Sequence, residues 1–449
     1  MDLLAGLARP GEVAVIGLGR SGVGAVKLLR SVGAEVYGSD GGDGPAVQSA
    51  AIALRATGAL IDVASHDLGR IARSRLLVLS PGVPPEAEAV TAATRAGVPV
   101  WAEAELGLRA LRGIPFVAVT GTNGKTTTTA IAGHLLARAG RRARTAGNIG
   151  TPLTEVALGP ERPEVMAVEL SSFQLHDMPS IAPTVGVLTN LAPDHLDRYP
   201  SLDAYYADKI RLFANATPAS HWITNADDPV SDDRAGTPAG RRERFSVLGR
   251  AAAWYDRAGD QLMLGDDVLL PRARFPLLGD HNVANALAAA LAGRALGLTV
   301  AELADGLASV AALPHRMEPV ADRAGILWIN DSKATNVAST TVAVAAMKRP
   351  FVLLLGGRHK GEPYRGLIPL LGRCRGVIAY GEAGPLIVAD LGGSVPVTSA
   401  GDFADVVAKA RALARPGDAV LLSPACSSYD MFANYEERGA RFRAAAEDS

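Results

Sequence analysis

Short apolar runs, rich in Val, Ile and Leu, recur along the chain with helix-length segments between them, and most of them end in Gly, Asn, Asp or Ser. Residues 12–16, 35–39, 76–80, 114–119, 165–169, 185–188, 221–224, 326–329, 351–355 and 419–422 read as strands. Continuous apolar runs of this kind belong to parallel sheets covered by helices on both faces. Helices are predicted from Gly22 to about Arg30, from Thr128 to Arg138, from Leu202 to Asn215, and along the Ala-rich stretch that ends at Leu296. The polar segment Asp232 to Asp267 reads as a region of short β pieces. The pattern predicts an α/β protein of three domains, 1–106, 107–312 and 313–449.

The loop with the clearest chemistry is Thr120-Gly121-Thr122-Asn123-Gly124-Lys125-Thr126-Thr127, between a strand and a helix. Its glycines let main-chain N–H groups turn onto an anion, and the helix start adds partial positive charge. Lys125 is expected to reach terminal phosphates, and the Thr126 hydroxyl to hold Mg²⁺. Val119 stands where the usual phosphate loop has its first glycine, so this is the shorter form Gly-x-x-Gly-Lys-Thr. A glycine-rich turn that binds nothing is the other reading, but it gives the Lys-Thr pair no packing reason. The strand 165–169 delivers Glu169 where a further Mg²⁺ ligand belongs, with a strand-end cap as the alternative. The strand 185–188 leads to Asp194-His195-Leu196-Asp197, and His195 among carboxylates suits a metal. Lys209 lies in the helix from Leu202, where a solvated lysine is the plain reading.

Nearer the N-terminus, Gly17-Leu18-Gly19-Arg20-Ser21-Gly22 follows a strand, and Asp40 ends the next one. This is the Rossmann spacing, with an acid about 20 residues on. It offers a diphosphate seat and a hydroxyl-binding carboxylate, which suit NAD or a UDP-sugar equally. Ser80, at another strand end, either lines that crevice or is a plain turn residue. Asn148 offers one amide. Asn282 and Asn285 share a helix face and can read adenine, or Asn282 can simply cap its helix. Three strands of the last domain end in polar loops, at Asn330–Asn336, Gly356–Lys360 and Ser423–Phe432, and should build one binding edge. Three α/β units with phosphate chemistry in the middle one suggest a two-substrate enzyme that closes its domains.

Composition narrows this further. With 449 residues, 48% hydrophobic and 20% charged, the chain has an ordinary soluble make-up. A formal net charge of −1 supplies no field for nucleic acid. Cys374 and Cys426 make neither a disulfide framework nor a metal spacing. No signal peptide and no bilayer-length apolar run is evident, so a cytoplasmic, monomeric enzyme of small molecules is expected, without nucleic acid or membrane. Of 45 basic residues only seven are lysine: Lys27, Lys125, Lys209, Lys333, Lys348, Lys360 and Lys409. Against such a bias, a lysine in a motif is needed for its compact or nucleophilic amine.

The motifs together resemble the bacterial Mur ligases of peptidoglycan synthesis. They are Thr-Gly-Thr-Asn-Gly-Lys-Thr at Thr120, Glu-Leu-Ser-Ser-Phe-Gln at Glu169, Asp-His-Leu-Asp at Asp194, His-Asn-x-x-Asn at His281 and Pro-His-Arg-Met-Glu at Pro314. Asn-Asp-Ser-Lys-Ala-Thr-Asn from Asn330 and Leu-Ser-Pro-Ala-Cys-Ser-Ser from Leu422 resemble the branch that adds D-glutamate. The resemblance implies a Rossmann-like N-terminal domain for the UDP-substrate, a central P-loop ATPase domain with a mostly parallel sheet, and a C-terminal Rossmann-like domain for the amino acid. It implies ATP-dependent joining of D-glutamate to UDP-N-acetylmuramoyl-L-alanine through an acyl phosphate, with two Mg²⁺ sites.

By the same resemblance, Gly121, Thr122, Asn123, Gly124, Lys125, Thr126, Thr127, Asn282, Asn285, Arg316 and Asp331 hold ATP. Thr126, Glu169, His195 and Lys209 hold metal, Lys209 as a carbamate formed with CO₂. Lys125, Lys209, His195 and Glu169 are the catalytic set. Arg20, Ser21, Asp40 and Ser80 face the uridine diphosphate, and Asn148, Ser171 and Gln174 the sugar-peptide end. Thr335, Lys360 and Ser428 grip D-glutamate with Tyr435 beside them, and Lys333 contacts substrate or product. Arg20 is bulky where relatives often carry an apolar residue. An NAD-dependent dehydrogenase, a silent nucleotide-binding scaffold, and a neighbouring Mur ligase or folylpolyglutamate synthase are the competing readings. The dehydrogenase leaves the Lys125 loop without a purpose.

Overall fold

The computed structural model describes residues 10–194 and 198–448. The chain divides into two compact units, Met1–Arg272 with Ala284–Ala308, and Ala273–Val283 with Ser309–Ser449.

The first unit holds two sheets. One contains β1 (Val13–Ile16), β2 (Val36–Asp40), β3 (Leu60–Val63), β4 (Leu76–Leu79) and β5 (Val100–Ala102), all parallel, in the order β3-β2-β1-β4-β5. Alternate residues of each strand point to opposite faces. Val13 and Val15 therefore join one core, and Ala14 and Ile16 the other. That is why the run shows no polar alternation.

The second sheet contains β6 (Phe116–Thr120), β7 (Ala143–Gly147), β8 (Val165–Glu169), β9 (Val185–Leu188), β10 (His221–Asn225), β11 (Arg241–Ser246), β12 (Ala253–Asp256), β13 (Gln261–Leu264) and β14 (Asp267–Pro271). Its order is β14-β13-β12-β11-β10-β9-β6-β8-β7, parallel except at the β12–β13 and β13–β14 pairs. Because β6 lies between β9 and β8, the loops after these three strands emerge side by side. Loops at adjacent carboxyl ends are where open α/β sheets bind ligands.

The second unit holds β15 (Glu318–Arg323), β16 (Ile326–Asn330), β17 (Phe351–Gly356), β18 (Cys374–Tyr380), β19 (Val397–Ser399) and β20 (Ala419–Leu422), in the order β15-β16-β20-β17-β18-β19. Only the β15–β16 pair is antiparallel. The three strands expected to share an edge, β16, β20 and β17, are neighbours.

Several elements differ from the sequence reading. The helix after the phosphate loop starts at Lys125, not Thr128, because Gly124 adopts φ +81° and turns the chain directly into it. The helix from Leu202 ends at Ile210 and finishes as a 3₁₀ turn, Arg211–Phe213. The helix Pro229–Ala235 opens the segment read as β, capped by the Asp228 carboxylate on the Val230 and Ser231 N–H groups. A helix, Glu103–Ala110, runs through the boundary placed after residue 106. Short or half-exposed strands such as β3 and β19 carried too little apolar pattern to be read.

One glycine is fixed by contact. A Cβ on Gly22 would lie 1.7 Å from the Gly17 carbonyl oxygen, so the first turn closes only with hydrogen there. We expect Gly22→Ala to lose about 3 kcal/mol of stability through that overlap. Denaturant unfolding checks this, and an unchanged midpoint would refute the contact.

Candidate active site

The phosphate loop is pinned by the loop that follows β9. Asn123 N donates to Asn190 Oδ1 (3.0 Å), Asn190 Nδ2 donates to Asn123 O (3.1 Å), Thr189 Oγ1 donates to Asn123 O (2.6 Å), and Thr122 N donates to Asn190 O (2.9 Å). Thr189 and Asn190 were missed as loop supports. Their only signal is position, directly after a strand beside β6. Asn285 clasps the loop from the other side. Its Oδ1 accepts from Thr128 Oγ1 (3.1 Å) and lies 2.4 Å from where a Gly124 Cβ would stand. Asn282 cannot be the helix cap, since the helix begins at Asp280, and its Nδ2 donates to Leu278 O (2.8 Å).

Two lysines meet on this loop. Lys125 Nζ donates to Gly121 O and to Thr122 O, both at 2.8 Å, and Lys209 Nζ donates to Gly121 O at 2.7 Å. Lys209 is not a solvated lysine: it is 2% exposed and lies 4.5 Å from the centre of the Tyr205 ring. Burial, and then the charge of Lys125, pushes its amine well below the ordinary lysine range. Its neighbour Asp208 offers little relief, because that carboxylate is bound to His176 (2.9 Å) and Arg211 (3.0 Å). The same bond to Asp208 raises the His176 pKa.

Glu169 ends β8, in register with Val119 of β6. It is buried, and its Oε1 accepts from Asn148 Nδ2 (2.9 Å). Its Oε2 is buried with no hydrogen-bond partner among the described residues. A buried carboxylate oxygen without a donor is costly unless a cation completes it. Gly147 permits the approach, since a Cβ there would lie 2.2 Å from Glu169 O. Among the described residues no three His, Cys, Asp or Glu side chains gather as a metal set. His195 lies outside the described residues. The oxygen donors present, Glu169 Oε2 and the hydroxyl of Thr126 at the helix start, suit a hard divalent ion.

At the first sheet, Asp40 closes its own turn. Its Oδ2 accepts from Leu18 N (2.7 Å) and its Oδ1 from Gly42 N (2.8 Å), while Ser80 Oγ donates to Gly17 O (2.8 Å). Ser21 follows in the helix Arg20–Ser31. Arg20 forks onto Glu155 (Nε–Oε1 3.0 Å, Nη2–Oε2 2.8 Å) and donates to Gly150 O (3.0 Å). It thus joins the first turn to the helix Leu153–Leu158. Ser171 and Gln174 form a capping box for the helix Ser172–His176, a Ser-x-x-Gln signal visible in the sequence. Gln174 Nε2 is left buried and without a partner among the described residues.

In the second unit, Asp331 is buried and accepts from Met317 N (3.1 Å) and Ser423 Oγ (2.9 Å). Burial pushes its carboxyl up to about 7. Arg316 precedes Met317, whose φ of +43° and that of His315 at +63° mark a tight turn. Lys360 Nζ donates to Thr335 Oγ1 (3.4 Å), and Lys333 Nζ sits 5.2 Å from the Tyr435 ring centre. Ser428 is buried. Arg438 was missed. It is fully buried and donates to Ser332 Oγ (2.9 Å), Ser332 O (2.8 Å) and Cys426 O (3.2 Å), tying two of the three strand-end loops together. A helix arginine gives no local sign of such burial.

Comparison with known proteins agrees with this architecture. The Mur ligase MurD-like N-terminal domain matches residues 11–102, the Mur ligase middle domain 119–293, and the Mur ligase glutamate ligase domain 315–426. The chain is 43% identical over 447 residues to the UDP-N-acetylmuramoylalanine--D-glutamate ligase of Anaeromyxobacter dehalogenans, covering 96% of each chain. It is 39% identical over 443 residues to the protein of that name from Myxococcus xanthus, covering 96% of this chain and 97% of that one. Among solved structures it resembles UDP-N-acetylmuramate-alanine ligase MurC of Thermotoga maritima (TM-score 0.62, 18% identity, 98% of this chain and 100% of that chain). A pseudomurein peptide ligase type C of Methanothermus fervidus shares the fold similarly (TM-score 0.60, 19% identity, 98% and 100%). The chain belongs to the Mur ligase family, in its MurD-like branch of UDP-N-acetylmuramoylalanine--D-glutamate ligases.

Proposed function

We propose that the chain is an ATP-dependent ligase that joins D-glutamate to UDP-N-acetylmuramoyl-L-alanine. The observation that carries the reading is the Gly121–Lys125 loop flanked by a buried Glu169 oxygen with no hydrogen-bond partner among the described residues and by a buried Lys209 amine. A carboxylate is a poor electrophile. Attack of its oxygen on the γ-phosphorus of ATP forms a P–O bond, breaks the bond to ADP and installs a leaving group. The amine of D-glutamate then attacks the acyl carbon, loses a proton and expels phosphate. Such chemistry asks the protein chiefly to position groups and spread charge.

Residues 1–106 serve the UDP-substrate, 107–312 ATP and 313–449 the amino acid. Gly121 to Thr127 cradle phosphates, and Lys125 leaves its resting carbonyls to reach them. Thr126 and Glu169 would hold Mg²⁺, and His195 and Lys209 a second ion; bound there, the ions would supply neutralisation of phosphate charge. Lys209, in its uncharged form, adds to CO₂: an N–C bond forms as one C=O π pair moves onto oxygen, the nitrogen releases a proton, and a neutral amine becomes a carbamate anion. Asn282, Asn285, Arg316 and Asp331 serve the nucleotide. Arg20, Ser21, Asp40 and Ser80 serve the uridine diphosphate, with Asn148, Ser171 and Gln174 at the sugar-peptide end. Thr335, Lys360, Ser428, Tyr435 and Lys333 serve D-glutamate. The enzyme works as a cytoplasmic monomer on small molecules, without nucleic acid or membrane. Among the described residues no helix is long and apolar enough to cross a membrane.

ADP release from ATP and Mg²⁺ with UDP-N-acetylmuramoyl-L-alanine and a panel of L- and D-amino acids tests the assignment. D-glutamate should stand well above the rest, and a flat panel would end it. Lys209→Ala should lose at least a hundredfold in rate, and short carboxylic acids should restore part of it. Full activity would remove Lys209 from the site. Asp331 gives a pH test. Its folded value of about 7 lies above the ordinary carboxyl value of about 3.8, so folding takes up a proton between them. Stability from this group is highest below pH ~4 and falls as pH rises to ~7, by at most about 4 kcal/mol. Melting curves of Asp331→Asn should lose that decline, and an identical pH profile in both proteins would contradict the burial argument.

A further inference from the structure

The loop that carries Lys360 runs from β17 to the 3₁₀ helix Tyr364–Arg373. It holds three glycines at positive φ, Gly356 (+153°), Gly357 (+130°) and Gly361 (+86°), a backbone with wide freedom when unrestrained. Lys360 itself is exposed, and a long lysine on such a loop loses much entropy when it settles on one position. Something must fix the loop beforehand. Arg358 does so at one end, pairing its N–H and C=O with the Ser427 main chain (2.9 and 3.2 Å). Glu362 does so at the other, accepting from Val337 N (3.2 Å).

Between these ends, only one side chain next to Lys360 is tied down. His359 Nδ1 lies 2.9 Å from the Tyr364 hydroxyl, with the rings 5.6 Å apart. Tyr364 is 1% exposed, and the same hydroxyl lies 3.0 Å from Cys426 Sγ. Cys426 is itself buried, two residues before Ser428. A phenol has one hydrogen and two acceptor sites, so it donates to one neighbour and accepts from the other. Burial pushes the Cys426 thiol up to about 11 and raises the Tyr364 phenol, so both keep their hydrogens at neutral pH. Either histidine tautomer then completes the chain. With Nδ1 as acceptor, Tyr364 donates to it and the thiol donates to Tyr364. With Nδ1 as donor, the chain runs the other way.

We propose that the Tyr364 hydroxyl is a positioning group for the acidic amino acid, holding His359 beside Lys360 and Cys426 beside Ser428 so that both grips on the dicarboxylate stand in register. This rests on the ligase reading above. Tyr364 is buried, so it acts through the two loops and should be felt in the affinity for the amino acid and not in the nucleotide sites.

Tyr364→Phe keeps the ring and its packing and removes only the hydroxyl. The steady-state KM for D-glutamate should rise about fivefold, the size of one ordinary hydrogen bond, with kcat, the KM for ATP and the KM for the UDP-substrate nearly unchanged and only a fall of a few degrees in melting temperature. His359→Ala should give the same rise, and the double variant no more than either single one, since both break one chain. An unchanged KM for D-glutamate in Tyr364→Phe, a parallel rise in all three KM values, or additive effects in the double variant would overturn the inference while leaving the ligase reading intact. A wild-type protein that releases no ADP on D-glutamate would overturn that reading, and this inference with it.

Discussion

One main-chain oxygen, Gly121 O, accepts hydrogen bonds from both Lys125 and Lys209. A carbonyl can satisfy two donors, but two ammonium groups within a few ångströms of each other in a buried place repel strongly. The proton is weakest on the more buried of them, and Lys209 is 2% exposed with its amine pushed well down. A neutral amine is a nucleophile, and arginine, which keeps its charge, cannot replace it. The phosphate loop, the lysine bias of the composition and the chemistry expected of the site thus rest on the same contact.

Around that contact the fold repeats one device. In the first unit β9, β6 and β8 are adjacent and parallel, and their ends deliver the Thr189–Asn190 brace, the phosphate loop and Glu169. In the second unit β16, β20 and β17 are adjacent and parallel, and their ends deliver Asp331 with Lys333, Cys426 with Ser428, and Lys360. Parallel strands place all their carboxyl ends on one edge, so a residue after an apolar run is already half assigned. What the strands leave loose, buried side chains tie: Arg438 under the Ser332 and Cys426 loops, and Tyr364 between the Cys426 and Lys360 loops.

The parts of this design that rest on local order were legible in the sequence. The Gly-Lys-Thr loop, Glu169 at a strand end, and the three polar loops of the last domain all follow from short apolar runs and what comes next. Contacts between distant segments were not. Arg20 meets Glu155 across 135 positions, and no local pattern announces it. Lys209 reads as a surface lysine because its helix shows no strong apolar stripe, and only the packing of that helix against the phosphate loop buries it. Asn285 was read as an adenine amide, and its first contact is with Thr128 and Gly124, a clasp that requires the phosphate loop to be already folded. Ser171 and Gln174 are a local case: the Ser-x-x-Gln spacing of their capping box is legible in the sequence itself.

The claim beneath all of this is that Lys209 is a neutral amine held against the phosphate loop. With seven lysines in the chain, isotope-labelled lysine side chains can be titrated one by one by NMR, with Lys209→Ala identifying the resonance. The account predicts that this one lysine titrates far below the exposed ones, and that Lys125→Ala moves it back upward. A Lys209 resonance that titrates together with the surface lysines would contradict it.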